Sequence, residues 1–266
     1  MAGSDFRKCS HGLAADFPGI PPDAIFRSMT DELQAMPEDW TRALAVVAHP
    51  DDMEFGAAGA VAAWTAAGKS VSYLLATRGE AGIAGMEPER AAAVREDEQR
   101  ASAAIVGVEQ VEFLDHRDGV VEGGLALRRD FTAAIRRHRP ELVIGFNHHD
   151  RFVSGRWNTP DHRETGRALL DAVGDAGNRW IFPEPGLEPW GGVRYVAMSN
   201  SPHATHAVDI TAAVDKAVAS LEAHAAYLAA LVPPVSDVRG PLVGLARSVG
   251  ERFGGTLAIS FELVPR

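Results

Sequence analysis

His49, Asp51 and Asp52 stand together in Ala48-His49-Pro50-Asp51-Asp52, at the end of an apolar run. An imidazole and a carboxylate three positions apart, across a proline that stiffens the turn, can face one divalent cation. The neighbouring carboxylate is then free to take a proton. A catalytic zinc uses three protein ligands and keeps one position open. The best third ligand in the chain is His162, in Thr159-Pro160-Asp161-His162-Arg163. Taken singly, each segment also reads as a loop with a helix cap, provided by Asp51 or Asp52 in the first and by Asp161 in the second. Taken together, they make His49, Asp52 and His162 a candidate metal set with Asp51 beside it.

Both segments need strand ends to deliver them. The apolar run over residues 44–48 reads as a buried strand, followed by an Ala-rich helix over 54–67 that Gly68 stops. Further strands are predicted at 71–77, 111–114, 141–146, 193–198, 206–210 and 257–261. Helices are predicted at 88–105, 125–139, 161–173 and 211–231. This alternation predicts an α/β fold with a mostly parallel sheet covered by helices on both faces. Loops leaving the carboxyl ends of such strands emerge on one side of the sheet, which brings His49 and His162 together. Residues 1–40 are broken by Pro18, Pro21, Pro22 and Pro37 and read as an N-terminal arm with a short helix over 23–36. Residues 232–266 read as a C-terminal extension packed on the rest, so that 1–266 is expected to be one domain.

Composition narrows the function. The 266 residues carry 36 acidic and 26 basic side chains, a net charge of −10 that disfavours a general nucleic-acid role. No apolar stretch is long enough to cross a bilayer. With Cys9 as the one cysteine, an internal disulfide and a cysteine-based zinc site are excluded. The first 20 residues lack a continuous apolar run, so no secretory signal is read there and a cytoplasmic location is expected. Dinucleotide chemistry is disfavoured because no G-x-G-x-x-G follows the first strand. The absence of G-x-S-x-G argues against a serine hydrolase of the α/β-hydrolase type.

The motif Ala48-His49-Pro50-Asp51-Asp52, with Gly56 beyond it, resembles the signature of the LmbE-like (PIG-L) deacetylase family. Pro160-Asp161-His162-Arg163 is similar to that family's second motif. Residues Thr77-Arg78-Gly79-Glu80-Ala81-Gly82 and Arg95-Glu96-Asp97-Glu98 fall where the family has similar residues. The resemblance covers roughly residues 43–210. It implies a Rossmann-like sheet and zinc-dependent removal of an N-acyl group from a glucosamine-containing small molecule. It implies one Zn²⁺ per chain on His49, Asp52 and His162, another divalent metal being compatible, with Asp51 as general base. It also implies substrate contacts by Arg95 and, more loosely, Asp118.

One departure concerns the acid half of the chemistry. Many members have a histidine where this chain has Thr159, and Asp161 would orient that histidine; here Thr159 is left as a substrate contact and Asp161 without its usual partner. The replacement proton donor is sought among His149, His203 and His206, with His206 favoured because it lies beside a predicted strand. Two other readings share these residues: an amidase of thiol conjugates of the mycothiol type, and a catalytically inactive sugar-binding protein. The sequence leaves a homo-oligomer open.

Overall fold

The computed structural model describes residues 32–265. Along the chain these form β1 (Gln34–Ala35), β2 (Arg42–Val47), α1 (Asp52–Gly56), α2 (Ala58–Ala66), β3 (Ser70–Leu75), α3 (Pro88–Ile105) and β4 (Gln110–Phe113). They continue as α4 (Leu125–His138), β5 (Leu142–Phe146), α5 (Pro160–Ala176), β6 (Tyr195–Ser199) and β7 (His206–Asp209). The last part holds α6 (Val214–Glu222), α7 (Ala225–Ala230), α8 (Arg239–Gly250) and β8 (Ala258–Val264).

The strands make one eight-stranded sheet in the order β1-β7-β8-β6-β5-β2-β3-β4. Strands β6, β5, β2, β3 and β4 are parallel neighbours, and β8 runs antiparallel to both β6 and β7. Strand β2 explains why its sequence is continuously apolar rather than alternating. Ala43, Ala45 and Val47 pack into the core on one face of the sheet, and Leu44 and Val46 into the core on the other. A strand covered on both faces has no solvent side on which polar residues would be favourable.

Strand β2 pairs with β3 on one side and β5 on the other, so the strand order reverses at β2. Loops leaving the carboxyl ends of β2 and β5 diverge there and open a crevice. That crevice is where the segments bearing His49 and His162 begin.

Four expectations change. The helix read over 23–36 falls largely outside the described residues, and at its end Gln34–Ala35 is a strand paired with β7. The helix read over 54–67 is interrupted at Ala57, whose φ of −145° is not helical. The helix read over 211–231 is two helices, because His224 leaves the helical conformation and is fully buried, 3.5 Å from Glu54. The C-terminal segment, read as an extension packed on the rest, is part of the sheet itself: β8 lies between β6 and β7, and α8 packs Ala246 into the core.

Candidate metal centre and cavity

His49 leaves the end of β2, and Asp52 opens α1 three residues later. Asp52 Oδ2 accepts the backbone N–H groups of Ala48 and His49, at 3.0 and 2.9 Å, which ties the carboxylate back onto the turn. His162 comes from the first turn of α5. Its N–H donates to Thr159 Oγ1, so Thr159 is the helix cap rather than Asp161. The ring nitrogen His162 Nε2 lies 3.0 Å from Asp52 Oδ1 and 3.3 Å from His49 Nδ1, and His49 Nδ1 lies 3.6 Å from Asp52 Oδ2. Ligands at about 2.0–2.1 Å from a tetrahedral zinc are about 3.3 Å from one another, so this triangle has the dimensions of such a set.

The outward-facing nitrogens fix which atoms face inward. His49 Nε2 donates to Asp161 Oδ2 at 3.1 Å and lies 3.2 Å from Asp118 Oδ1. A carboxylate only accepts, so the proton sits on Nε2 and the Nδ1 lone pair faces Asp52 and His162. His162 Nδ1 is held at 2.9 Å by Asn158 Oδ1. Asn158 cannot turn round, because its amide nitrogen donates to the carbonyls of Asn147 and His149. His162 Nε2 is thereby left as an acceptor. A buried donor set of two oriented imidazoles and one carboxylate fits a zinc-type divalent ion. His49, Asp118 and Asp161 form a second close group on the other side of the same ring. Both oxygens of Asp161 already accept backbone N–H groups, from Gly119 and Val121, so that side positions His49. The partner that Asp161 lacks in the sequence is therefore His49.

The charges follow from this packing. Burial alone would raise the Asp52 carboxyl, but positive charge at the His162 and His49 rings, whose place a cation bound between the three residues takes, holds it far below the usual carboxylate range. Asp51 differs, since burial dominates and pushes it up to about 6 despite the Arg95 guanidinium 3.2 Å away. Asp51 also adopts a left-handed backbone, with φ 90°. Such a conformation costs a non-glycine residue about 1–3 kcal/mol and persists only where the surroundings hold it. Here the Asp51 N–H donates to Gln99 Oε1, and Gln99 Nε2 in turn donates to the buried Glu54.

Arg95 is 2% exposed and is committed to the protein. It donates to the carbonyls of Pro50 and Gly79, pairs with Asp51 and lies 4.1 Å over the Tyr227 ring. The glycines of the Thr77–Gly82 loop make room for it. A Cβ on Gly82 would stand 2.2 Å from Arg95 Nη1, and one on Gly79, which has φ +68°, would stand 2.5 Å away. Gly56 is small for a related reason, since a Cβ there would meet Ser199 Oγ at 2.7 Å. Asp118 accepts the Ala81 N–H and faces His49, which turns it toward the protein as well.

The groups open into a cavity of about 1320 Å³, lined at its polar end by His49, Asp51, Asp52, Asp118, Thr159 and His162. Of the candidate proton donors, His149 and His203 line this cavity and His206 does not. His206 sits on β7, bonded through Nδ1 to Thr205 Oγ1 and paired with Phe261, so its strand position removes it from the chemistry. Sequence reasoning missed Asn158, Gln99 and Tyr227, and with them the cavity wall built by α7 and α8. Asn158 stands four residues before His162, a spacing that places it beside the ring once the helix start is known.

Comparisons with known proteins bear on the family and the fold. Residues 44–173 match the PIG-L family, described as GlcNAc-PI de-N-acetylase. The chain carries a PIG-L domain. Diacetylchitobiose deacetylase of Thermococcus kodakarensis is 31% identical over 145 residues, 52% of this chain and 51% of that protein. This chain thus spans about half of that relative's length. A probable N-acetyl-alpha-D-glucosaminyl L-malate deacetylase of Bacillus anthracis is 28% identical over 71% of this chain and 82% of its own. The solved N,N'-diacetylchitobiose deacetylase of Pyrococcus horikoshii superposes with a TM-score of 0.79 at 23% identity, covering 94% of this chain and 95% of that one, which establishes a shared fold. The PIG-L match holds both His49-Pro50-Asp51-Asp52 and Asp161-His162. Among the described residues, no helix is long and apolar enough to cross a membrane.

Proposed function

We propose that this PIG-L domain is a metal-dependent N-deacetylase that hydrolyses the acetamide of an N-acetylglucosamine-containing small molecule. The observation that carries this reading is the closed His49/Asp52/His162 triangle with the buried Asp51 beside it in one cavity. The relatives named as deacetylases of such sugars support the substrate class. A zinc-type ion on these three residues supplies Lewis-acid polarisation of an amide carbonyl and lowers the pKa of a water to about 7.

The chain's own residues do the rest. Asp51 receives the proton of the attacking water at its carboxylate. Burial raises its basicity, and Arg95 and Gln99 hold it in place. Thr159 offers no titratable group, and its hydroxyl caps α5. Asp51 therefore returns the proton to the leaving amine. Asp161 and Asp118 keep the His49 ring in one tautomer, and Arg95 is a positioning residue for Asp51 rather than a contact to the sugar. Trp157, 58% exposed at the cavity, lies within 5.3 Å of Arg151 and 5.2 Å of Arg163 and offers a flat apolar face on which a sugar ring stacks.

The test is a panel of N-acetylglucosaminides, including N,N'-diacetylchitobiose and the malate and inositol glycosides, assayed for free amine with and without added Zn²⁺. Metal-dependent amine release from at least one member is expected. No release from any member, by folded and zinc-loaded protein, would contradict the reading.

A further inference from the structure

The cavity wall carries a second group of ligand-type side chains that the deacetylase reading leaves unused. We propose that His148, His149 and Glu262 form a second divalent-cation site, taking a borderline ion of the Zn²⁺ type.

The group is brought together by the fold, not by sequence. His148 and His149 follow β5, whereas Glu262 lies on β8, and the two strands are separated in the sheet by β6. One ring nitrogen from each histidine and one Glu262 oxygen lie within 4.8 Å of one another. His149 Nε2 is 2.7 Å from Glu262 Oε2, and the two histidine rings lie with centroids 4.1 Å apart. A third imidazole, His203, stands edge-on to His149 at 4.6 Å.

Two further observations point to a ligand. His148 Nδ1 is buried and has no hydrogen-bond partner, so folding leaves an imidazole nitrogen desolvated inside the group. Such an atom is stabilised by whatever it can bind. The backbone that carries the pair is also held in place. The His149 N–H donates to Asn147 Oδ1, and Asn158 donates to the carbonyls of Asn147 and His149. A Cβ on Gly166 of α5 would come within 2.5 Å of His148 Cβ, so the helix backs the loop closely. Imidazole with carboxylate suits zinc and its transition-metal neighbours, whereas an all-oxygen set would favour magnesium or calcium.

The site is looser than the first. The 2.7 Å separation of His149 and Glu262 is shorter than the roughly 3.3 Å between ligands of a tetrahedral ion, so these side chains part slightly as an ion enters. The His149–Glu262 contact has to open for the second ion, so that ion binds more weakly than the first. Because His149 and His203 line the cavity, the ion sits on the wall of the catalytic cavity.

The experiment is equilibrium dialysis of tag-free, chelator-stripped full chain against a series of Zn²⁺ concentrations, with bound metal measured by elemental analysis. Wild type should bind two equivalents, the second more weakly. His148→Ala and Glu262→Gln should each bind one, and His49→Ala should retain the weaker one. Glu262→Gln is nearly isosteric and decides the matter if His148→Ala fails to give a cooperative melt by circular dichroism. Saturation of wild type at one equivalent with none in His49→Ala overturns the proposal, as does two equivalents in both His148→Ala and Glu262→Gln. Saturation at one equivalent in both wild type and His49→Ala would leave the second site standing and count against the first.

Discussion

Two groups of histidine and carboxylate meet the same cavity, the first lining it and the second reaching it through His149, and they are finished to different degrees. In the His49/Asp52/His162 group every outward atom has a partner. Asp161 and Asp118 hold one ring, Asn158 the other, and two backbone N–H groups hold the carboxylate. In the His148/His149/Glu262 group one nitrogen has no partner and all three residues are half-buried. The difference teaches what would separate a tight site from a looser one: geometry held before an ion arrives.

The comparison can be broken from either side. The largest effect is expected at Asp51. Asp51→Asn removes the base but none of the three donors, so amide hydrolysis should fall by about 10²–10⁴-fold with zinc content unchanged. Steady-state rates alongside elemental analysis check this, and a parallel loss of metal would show that Asp51 belongs to the metal set instead. Next comes Asp161→Asn, which weakens the support of the His49 ring. Zinc affinity should drop by about 10–100-fold, measured by competition with a chromophoric chelator. Unchanged affinity would mean that Asp161 serves only the loop at Gly119 and Val121.

Smaller effects test the surroundings. Gly82→Ala places a Cβ against the Arg95 guanidinium and should cost about 1–3 kcal/mol of stability in denaturant unfolding. Activity should fall further than this alone requires, because Arg95 would shift away from Asp51. The smallest change is expected for Trp157→Ala at the exposed face of the cavity. Loss of ring stacking, worth about 0.5–1.5 kcal/mol, should raise KM by about 2–10-fold while leaving kcat and the melting temperature unchanged.

What could be read from the sequence was what local pattern determines. The apolar run before His49 is continuous because both faces of β2 are buried, so the strand and its loop were plain. The two segments proposed to hold the metal stood out as candidates because each carries its ligand-type residues within a few positions. What stayed hidden depends on distant parts of the chain. Strand β8 pairs between β6 and β7, a placement that no local pattern carries. Helix α8 is absent from the predicted helices, and it packs through Ala246, buried against a core formed by distant parts of the chain. His224 breaks the last predicted helix because its ring is drawn in toward Glu54, 170 residues earlier in the chain. Asp161 was assigned to a missing histidine, since only the folded loop at residues 117–121 shows that it reaches His49.

The most direct test of the central claim is amine release from an N-acetylglucosaminide by wild-type protein before chelation, after chelation and after zinc is restored. We predict that activity disappears on chelation, returns with one equivalent of Zn²⁺, and fails to return in His162→Ala. Full activity in the chelated protein, at a metal content near zero, would contradict the account.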